Sequence, residues 1–300
     1  MRSHGYGIGD GVLAMWDSPH LLSLNDGDFD RAPLLWSRAD ARVLVCSVDA
    51  VTATDPAAPE TQLLWQPATG PYDPRRCWLL DGRRAWFVQP AISAEGLVPL
   101  RGLWPLLEPV ETEAAVAGVA LTAWHTGHGF CPACGGPIRI ADGGWLGHCH
   151  GCGSEHYPHI DPAIIVALVD GDDRLLLGSQ PSWGKRRSVF AGFVMAGESL
   201  EQAVHREVAE ETGLTVRDIG YFGSQPWPFP RSLMVAFTAR VDNPGALHVD
   251  GREIIKADWL TRDEVKAAWA DGDIDPPPPA SIAYRLIQTW LGDVNPETER

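Results

Sequence analysis

The residues best placed to do chemistry are glutamates on one predicted helix, residues 199–212. At 100° per residue, Glu207 and Glu211 share one face of that helix, and Glu210 lies at its edge. The same face carries apolar side chains that must pack on a core: Leu200, Ala203, Val204 and Leu214. Like charges four residues apart cost about 0.2–0.5 kcal/mol even in water, and burial adds to that cost. A merely solvated acidic face is therefore disfavoured, and the pattern indicates a divalent-cation site.

A second chemical feature is a set of four cysteines, spaced as Cys131-x2-Cys134-x14-Cys149-x2-Cys152. Each Cys-x-x-Cys pair can place two thiolates on one tetrahedral ion, so the spacing predicts a structural Zn²⁺ ribbon rather than free thiols. The first residues lack the pattern of a secretion signal, which favours metal binding in a reducing cytoplasm over disulfides. Residues 131–152 hold one arginine and no lysine, so we expect a folding role instead of nucleic-acid contact.

The composition narrows the classes of function. The 300 residues include 24 Lys and Arg against 39 Asp and Glu, which gives a formal charge of −15. Such a chain is a poor candidate for non-specific duplex binding, and an anionic substrate would need an intervening cation. No apolar stretch approaches the length of a membrane span, so no membrane partner is expected.

The elements that must position these residues can be read from the apolar pattern. The run 163–169, Ala-Ile-Ile-Val-Ala-Leu-Val, predicts a strand buried on both faces. A second strand is predicted at 174–178, and the carboxylate helix follows, stopped by Gly213. Further strands and helices are expected at 233–240, 257–260, 261–270 and 282–291. Strands mixed with helices indicate an α/β domain.

The region before the cysteines reads as a separate, mainly β unit. We predict strands at 42–48 and 62–65, a hairpin across Asp81-Gly82, and a helix at 111–124. No chemistry-bearing motif stands out there, and a packing or dimerisation role is the simplest interpretation. The predicted domains are an N-terminal packing domain at 1–124, a ribbon at 125–158, an α/β domain at 159–292 and a tail at 293–300.

The carboxylate segment resembles, in full, the Nudix box Gx5Ex7REUxEExGU, where U is apolar. The matching positions are Gly192, Glu198, Arg206, Glu207, Val208, Glu210, Glu211, Gly213 and Leu214. The resemblance implies an α/β/α sandwich with a mixed sheet and a loop-helix-loop box whose glutamates hold Mg²⁺ or Mn²⁺. It also implies hydrolysis of a nucleoside diphosphate linked to another moiety, with structural roles for Gly192, Glu198, Arg206 and Gly213. The domain predicted at 159–292 would then be a Nudix hydrolase domain, and the one at 1–124 a Nudix-like or packing domain.

A downstream segment, residues 224–232, reads Ser-Gln-Pro-Trp-Pro-Phe-Pro-Arg-Ser and alternates prolines with aromatics. The prolines fix an extended backbone, which presents the aromatic side chains as a rigid surface at low entropic cost. It resembles the SQPWPFPxS array of the NADH pyrophosphatase branch of the Nudix family, in which a zinc ribbon precedes the Nudix domain. That resemblance implies metal ligands at Glu207, Glu211, Glu253 and the carbonyl of Ala191. It implies substrate contacts at Tyr157, Phe193, Gln225, Trp227, Ser232 and Ala283. In this branch Tyr157 can serve the partner's site, which implies a homodimer.

The resulting hypothesis is metal-dependent hydrolysis of NAD(H) to NMN(H) and AMP, with removal of NAD caps from RNA 5′ ends. Mg²⁺ ions held by Glu207, Glu211 and Glu253 would neutralise phosphate oxygens and lower the pKa of a bound water. Either Glu210 or Glu211 would accept its proton. One alternative is a Nudix hydrolase that prefers ADP-ribose or dinucleoside polyphosphates. A non-enzymatic regulator that senses nucleotide and binds nucleic acid would predict a damaged box and a basic ribbon, and the sequence has neither. Preference among NADH, NAD⁺ and capped RNA stays open.

Overall fold

The computed structural model describes residues 19–58 and 60–292. Within these, the chain forms two compact units. The first unit comprises residues 19–160 and Trp227–Arg231, and the second comprises Asp161–Pro226 and residues 232–292. The ribbon thus groups with the N-terminal region, while the boundaries expected at 124 and 158 stay predictions. The predicted tail, 293–300, lies outside the described residues.

The main sheet of the first unit has the order β4-β5-β1-β2-β6, with β3 paired to β1. Its strands are β1 Arg42–Cys46, β2 Ala50–Thr52, β3 Gln66–Pro67, β4 Trp78–Asp81, β5 Trp86–Pro90 and β6 Leu97–Pro99. Its helices are α1 Asp26–Asp30, α2 Ala32–Trp36, α3 Leu100–Leu103 and α4 Pro109–Gly127. The hairpin expected across Asp81-Gly82 is confirmed as the antiparallel pair β4–β5.

The strand expected at 62–65 is wrong. Pairing with β1 begins only at Gln66 and Pro67, which face Val43 and Arg42, while Leu63 makes an isolated bridge to Ala53. A strand needs a partner edge, and the pairing with β1 starts at Gln66, four residues after the predicted start at residue 62.

The ribbon carries a three-stranded sheet in the order β7-β8-β9. The strands are β7 Ile138–Ala141, β8 Leu146–Cys149 and β9 Glu155–His156. The antiparallel register places Ile138 opposite Cys149, and His156 opposite Gly147. The four cysteines lie in and beside these strands, which fixes the pairs against each other.

The second unit is built on a mixed sheet in the order β13-β14-β10-β11-β15, with β12 paired to β10. Its strands are β10 Asp161–Val169, β11 Leu175–Ser179, β12 Phe190–Phe193, β13 Val216–Trp227, β14 Ser232–Val241 and β15 Lys256–Leu260. Its helices are α5 Leu200–Thr212, α6 Arg262–Ala270 and α7 Ile282–Leu291. Strand β10 runs parallel to β14 and antiparallel to β12, as expected for a mixed sheet.

Strand β10 divides its apolar side chains between two cores. Ile164, Val166 and Leu168 pack with residues of α5. Ile165, Ala167 and Val169 pack with residues of α6 and α7 on the opposite face. The prediction of a strand buried on both faces, and with it the α/β/α sandwich, is confirmed.

Helix α4 of the first unit buries a carboxylate that the sequence did not single out. Glu113 is 3% exposed and accepts hydrogen bonds from the backbone N–H groups of Leu21 and Leu22, at 2.9–3.1 Å. Fully buried Asp81 likewise accepts from the N–H of Ser23 and from Arg84. The two carboxylates therefore fasten the backbone of the segment 21–23. Among the described residues, no helix has the length and hydropathy needed to cross a membrane.

Candidate active site

Helix α5 is held at both ends by local signals. Its N-cap, Ser199, accepts from the N–H of Gln202, and the Gln202 side chain accepts from the N–H of Ser199, forming a capping box. Gly213 ends the helix with a φ of 68°, a left-handed conformation that favours glycine. Between these ends, Ala203, Val204 and Val208 are fully buried. This burial fixes the rotation of the helix and turns Glu207 and Glu211 toward the sheet.

A glycine on β12 makes room for the first of these glutamates. A Cβ at Gly192 would lie 2.0 Å from the carboxyl carbon of Glu207. Only a residue without a side chain leaves space for that carboxylate, which is 9% exposed. The first glycine of the box is therefore explained by this close approach.

Arg206 joins the acidic side chains around it. Its Nε and Nη2 donate to the two carboxylate oxygens of Glu198 at 2.6 and 2.9 Å, which holds the pKa of Glu198 down at about 2. Its Nη1 donates to Glu207 at 2.7 Å and to Glu210 at 3.2 Å, and Nη2 also donates to the carbonyl of Phe193. One guanidinium thus links the loop before the helix, the helix and β12.

Glu211 is the most constrained acid of the group. It is 4% exposed, and its Oε2 is buried without a hydrogen-bond partner among the described residues. Burial raises its pKa to about 8, and repulsion from Glu207, Glu253 and Asp250 adds to the effect. A buried, partnerless carboxylate oxygen among other carboxylates fits the hard oxygen ligands that a divalent cation prefers.

These residues surround a cleft of about 620 Å³, called here the acidic cleft. Of the predicted site residues, it brings together Ala191, Gly192, Phe193, Arg206, Glu207, Glu210, Glu211, Ser232 and Glu253. The lining also includes residues that the sequence reasoning missed: Ala163, Met195, Met234, Asp250 and Arg252. For the last two, their position beside Glu253 was the available signal.

Four predicted substrate contacts lie outside that lining. Gln225 is 1% exposed, donates to the carbonyl of Ala280 and accepts from the N–H of Ile282. Ala283 is 6% exposed in the first turn of α7. Trp227 belongs to the first unit, and Tyr157, also there, is 57% exposed and donates to Glu155. Their contact with substrate stays a prediction.

The four cysteines of the ribbon come together as their spacing predicts. All four Sγ atoms lie within 4.8 Å of one another. The Ser154 hydroxyl lies 3.4 Å from Sγ of Cys131 and 3.2 Å from Sγ of Cys152, and this contact is the main cause that lowers the pKa of Cys131 to about 5. Four converging thiols with a polar neighbour match a closed, structural zinc site.

Comparison with known proteins agrees with this arrangement. A model of the NUDIX domain matches residues 159–278, and one of the NADH pyrophosphatase zinc ribbon domain matches residues 128–157. The NAD-capped RNA hydrolase NudC of Mycobacterium bovis is 40% identical over 261 residues, covering 84% of this chain and 81% of that protein. The chain belongs to the NudC family of Nudix proteins.

Other members of the NudC family show similar likeness. The NAD-capped RNA hydrolase NudC of Mycobacterium tuberculosis is 40% identical over 84% of this chain and 81% of its own length. That of Citrobacter koseri is 39% identical over 62% of this chain and 69% of its own length. The family membership that the Nudix box, the ribbon and the proline array predict is confirmed.

Proposed function

We propose that this chain hydrolyses the pyrophosphate bond of NAD(H), giving NMN(H) and AMP, and removes NAD from the 5′ ends of RNA. The observation that carries the proposal is the partnerless carboxylate oxygen of Glu211 in the acidic cleft, on the scaffold of the NudC family. The relatives named NAD-capped RNA hydrolase support the choice of substrate.

The residues proposed to hold Mg²⁺ or Mn²⁺ are Glu207, Glu211, Glu253 and the carbonyl of Ala191, all in the lining of the acidic cleft. When bound, the cation supplies charge neutralisation at the phosphate oxygens and a lower pKa for the attacking water. Glu210 or Glu211 accepts the proton of that water. In-line attack then depends on positioning more than on covalent chemistry.

The remaining residues position the substrate and the acids. Phe193, 57% exposed at the end of β12, offers a ring face on which a base or nicotinamide stacks. Arg206 keeps Glu207 and Glu210 in place through its hydrogen bonds. Ser232 adds a hydroxyl to the lining of the cleft. The proposed assembly is a cytoplasmic homodimer in which exposed Tyr157 contributes to the partner's site.

The direct test is product analysis after incubation with Mg²⁺ or Mn²⁺. NADH, NAD⁺, NAD-capped RNA and ADP-ribose are compared side by side at equal concentration. We expect AMP and NMN(H) from the dinucleotides, and NMN with 5′-monophosphate RNA from the capped RNA. Faster cleavage of ADP-ribose than of every NAD substrate would contradict the proposed specificity. No metal-dependent cleavage of any of the four would contradict the activity itself.

A further inference from the structure

The loop that carries Glu253 is tied at both ends. At its start, the N–H of His248 donates to the carbonyl of Thr212 at 2.9 Å, and the N–H of Asp250 donates to that of Glu211 at 3.3 Å. At its end, Ile254 is 3% exposed in the core, and the N–H of Ile255 donates to the carbonyl of Ser179 at 2.9 Å. The loop therefore crosses from the end of α5 to the start of β15 with little slack.

Asp250 closes the turn between these ties. Its Oδ2 accepts from the N–H of Glu253 at 3.0 Å, and its Oδ1 accepts from the N–H of Ile254 at 2.8 Å. The N–H of Gly251 donates to the carbonyl of Ile254 at 3.0 Å, and the φ of Gly251, 71°, is the left-handed value such a turn needs. Both carboxylate oxygens of Asp250 thus engage the backbone that presents Glu253.

Glu253 has few constraints of its own. It is exposed, its side chain extends from a bend, and its backbone lies outside any strand or helix. A flexible glutamate loses rotamer and backbone freedom when it binds an ion, and this cost lowers affinity unless the backbone is already fixed. The two hydrogen bonds to Asp250 provide that fixed backbone.

We propose that Asp250 is a positioning residue that holds Glu253 at the acidic cleft, at a fixed position relative to Glu211. The inference rests on the proposed function, because Glu253 is there assigned to the divalent cation. Asp250 acts through the backbone of residues 253 and 254, since each of its carboxylate oxygens accepts one of those N–H groups.

The test measures Mn²⁺ affinity by electron paramagnetic resonance or calorimetry on the full chain without substrate. We expect Asp250→Ala to raise the Mn²⁺ dissociation constant by about tenfold, the lower end for outer-shell residues. Asp250→Asn keeps one acceptor oxygen for the two N–H groups and is a residue type favoured in such turns, so it restores part of the affinity. Asp273→Ala, which removes an exposed carboxylate from a turn outside the cleft, is the matched control and binds as wild type.

A double-mutant cycle with Glu253→Gln gives the decisive comparison. If Asp250 acts only through Glu253, adding Asp250→Ala to Glu253→Gln weakens Mn²⁺ binding no further, within about twofold. Full additivity of the two changes would overturn the proposal, since it would assign the effect to the charge of Asp250 and not to the position of Glu253. Wild-type affinity in Asp250→Ala would overturn it as well.

The outcome is separable from that of the proposed function. Wild-type protein that binds Mn²⁺ but leaves NAD(H) intact refutes the proposed substrate, while the cycle still reports on Asp250. Wild-type protein that cleaves NAD(H), together with unchanged Mn²⁺ binding in Asp250→Ala, refutes the positioning role alone. The melting temperature of each variant shows that the fold is retained.

Discussion

Helix α4 of the first unit and helix α5 of the second each bury a glutamate against a sheet. Glu113 is 3% exposed and Glu211 is 4% exposed, so burial does not distinguish them. Their hydrogen-bond partners distinguish them. Glu113 accepts three hydrogen bonds from the backbone of Leu21 and Leu22. Glu211 keeps one oxygen without a partner among the described residues, and other acids surround it.

The difference shows which buried charge is structural and which is poised for a ligand. A buried carboxylate whose acceptors are filled by N–H groups stabilises the fold that fills them. A buried carboxylate with an empty acceptor and like charges nearby is kept at a cost in stability, and a cation at that site offsets the cost. A buried glutamate is thus structural where backbone N–H groups fill its acceptors, and available to a ligand where they do not.

The largest expected effect comes from removing the charge of Glu211. Glu211→Gln should lower the rate of NADH cleavage by about 10²–10⁴-fold, because a metal ligand or general base is lost, while the melting temperature stays the same or rises. Glu201→Gln, on the exposed face of α5, is the matched control and should retain activity. A rate of NADH cleavage within tenfold of wild type would contradict the functional role assigned to Glu211.

The next effect contrasts two glycines at close approaches. Gly192→Ala should weaken Mn²⁺ binding by about tenfold or more, since its Cβ would displace the Glu207 carboxylate while leaving the core intact. In α4, a Cβ at Gly118 would lie 2.9 Å from Sγ of Cys46, so Gly118→Ala should cost about 1–3 kcal/mol of stability without affecting Mn²⁺. Calorimetry of Mn²⁺ binding and urea unfolding measure the two effects. The reverse pattern would contradict the assignment.

Glu113→Gln should act on stability alone. The substituted amide offers one acceptor oxygen where the carboxylate offers two, and its NH₂ group faces a donor, so we expect a loss of about 1–3 kcal/mol. Urea unfolding measures this loss, and kcat for NADH should stay within twofold of wild type. If the Glu113→Gln variant lost activity at a temperature where it is fully folded, Glu113 would have a functional role and the contrast with Glu211 would be wrong.

The last expected effect is a pH dependence in protein freed of Mg²⁺ and Mn²⁺. The pKa of Glu211 is about 8 in the folded chain and near its ordinary 4.5 when unfolded. Between these values the unfolded chain has released this proton and the folded chain has kept it, so the stability that Glu211 contributes falls as pH rises. Urea midpoints from pH 5 to pH 8 should decline more steeply in wild type than in Glu211→Gln. If the urea midpoints of wild type and Glu211→Gln changed in parallel with pH, the pKa of Glu211 would not be raised by burial.

The sequence predicted best what is decided locally. The apolar run of β10, the helix predicted at 199–212 with its stop at Gly213, and the helix predicted at 261–270 depend on neighbouring residues, and all are confirmed. The geometry of the box residues was also accessible, because one helix carries Glu207, Glu210 and Glu211 into the same cleft.

What the sequence did not predict depends on partners distant along the chain. Glu113 meets backbone groups about ninety residues away, and Gln225 meets Ala280 and Ile282 more than fifty residues away. No spacing rule identifies a backbone N–H as the partner of a particular carboxylate. Asp250 was overlooked because a carboxylate beside a candidate ligand looks, in one dimension, like another exposed acid.

The fastening of residues 21–23 sets a practical boundary for shortened forms of the protein. Trimming that stops before His20 leaves every N–H donor to Glu113 and Asp81 in place. Trimming past Ser23 removes the backbone N–H donors to Glu113 and to fully buried Asp81. Asp81 then keeps its ion pair with Arg84. Shortened forms that begin beyond this point are expected to express poorly, even though the acidic cleft loses none of its residues.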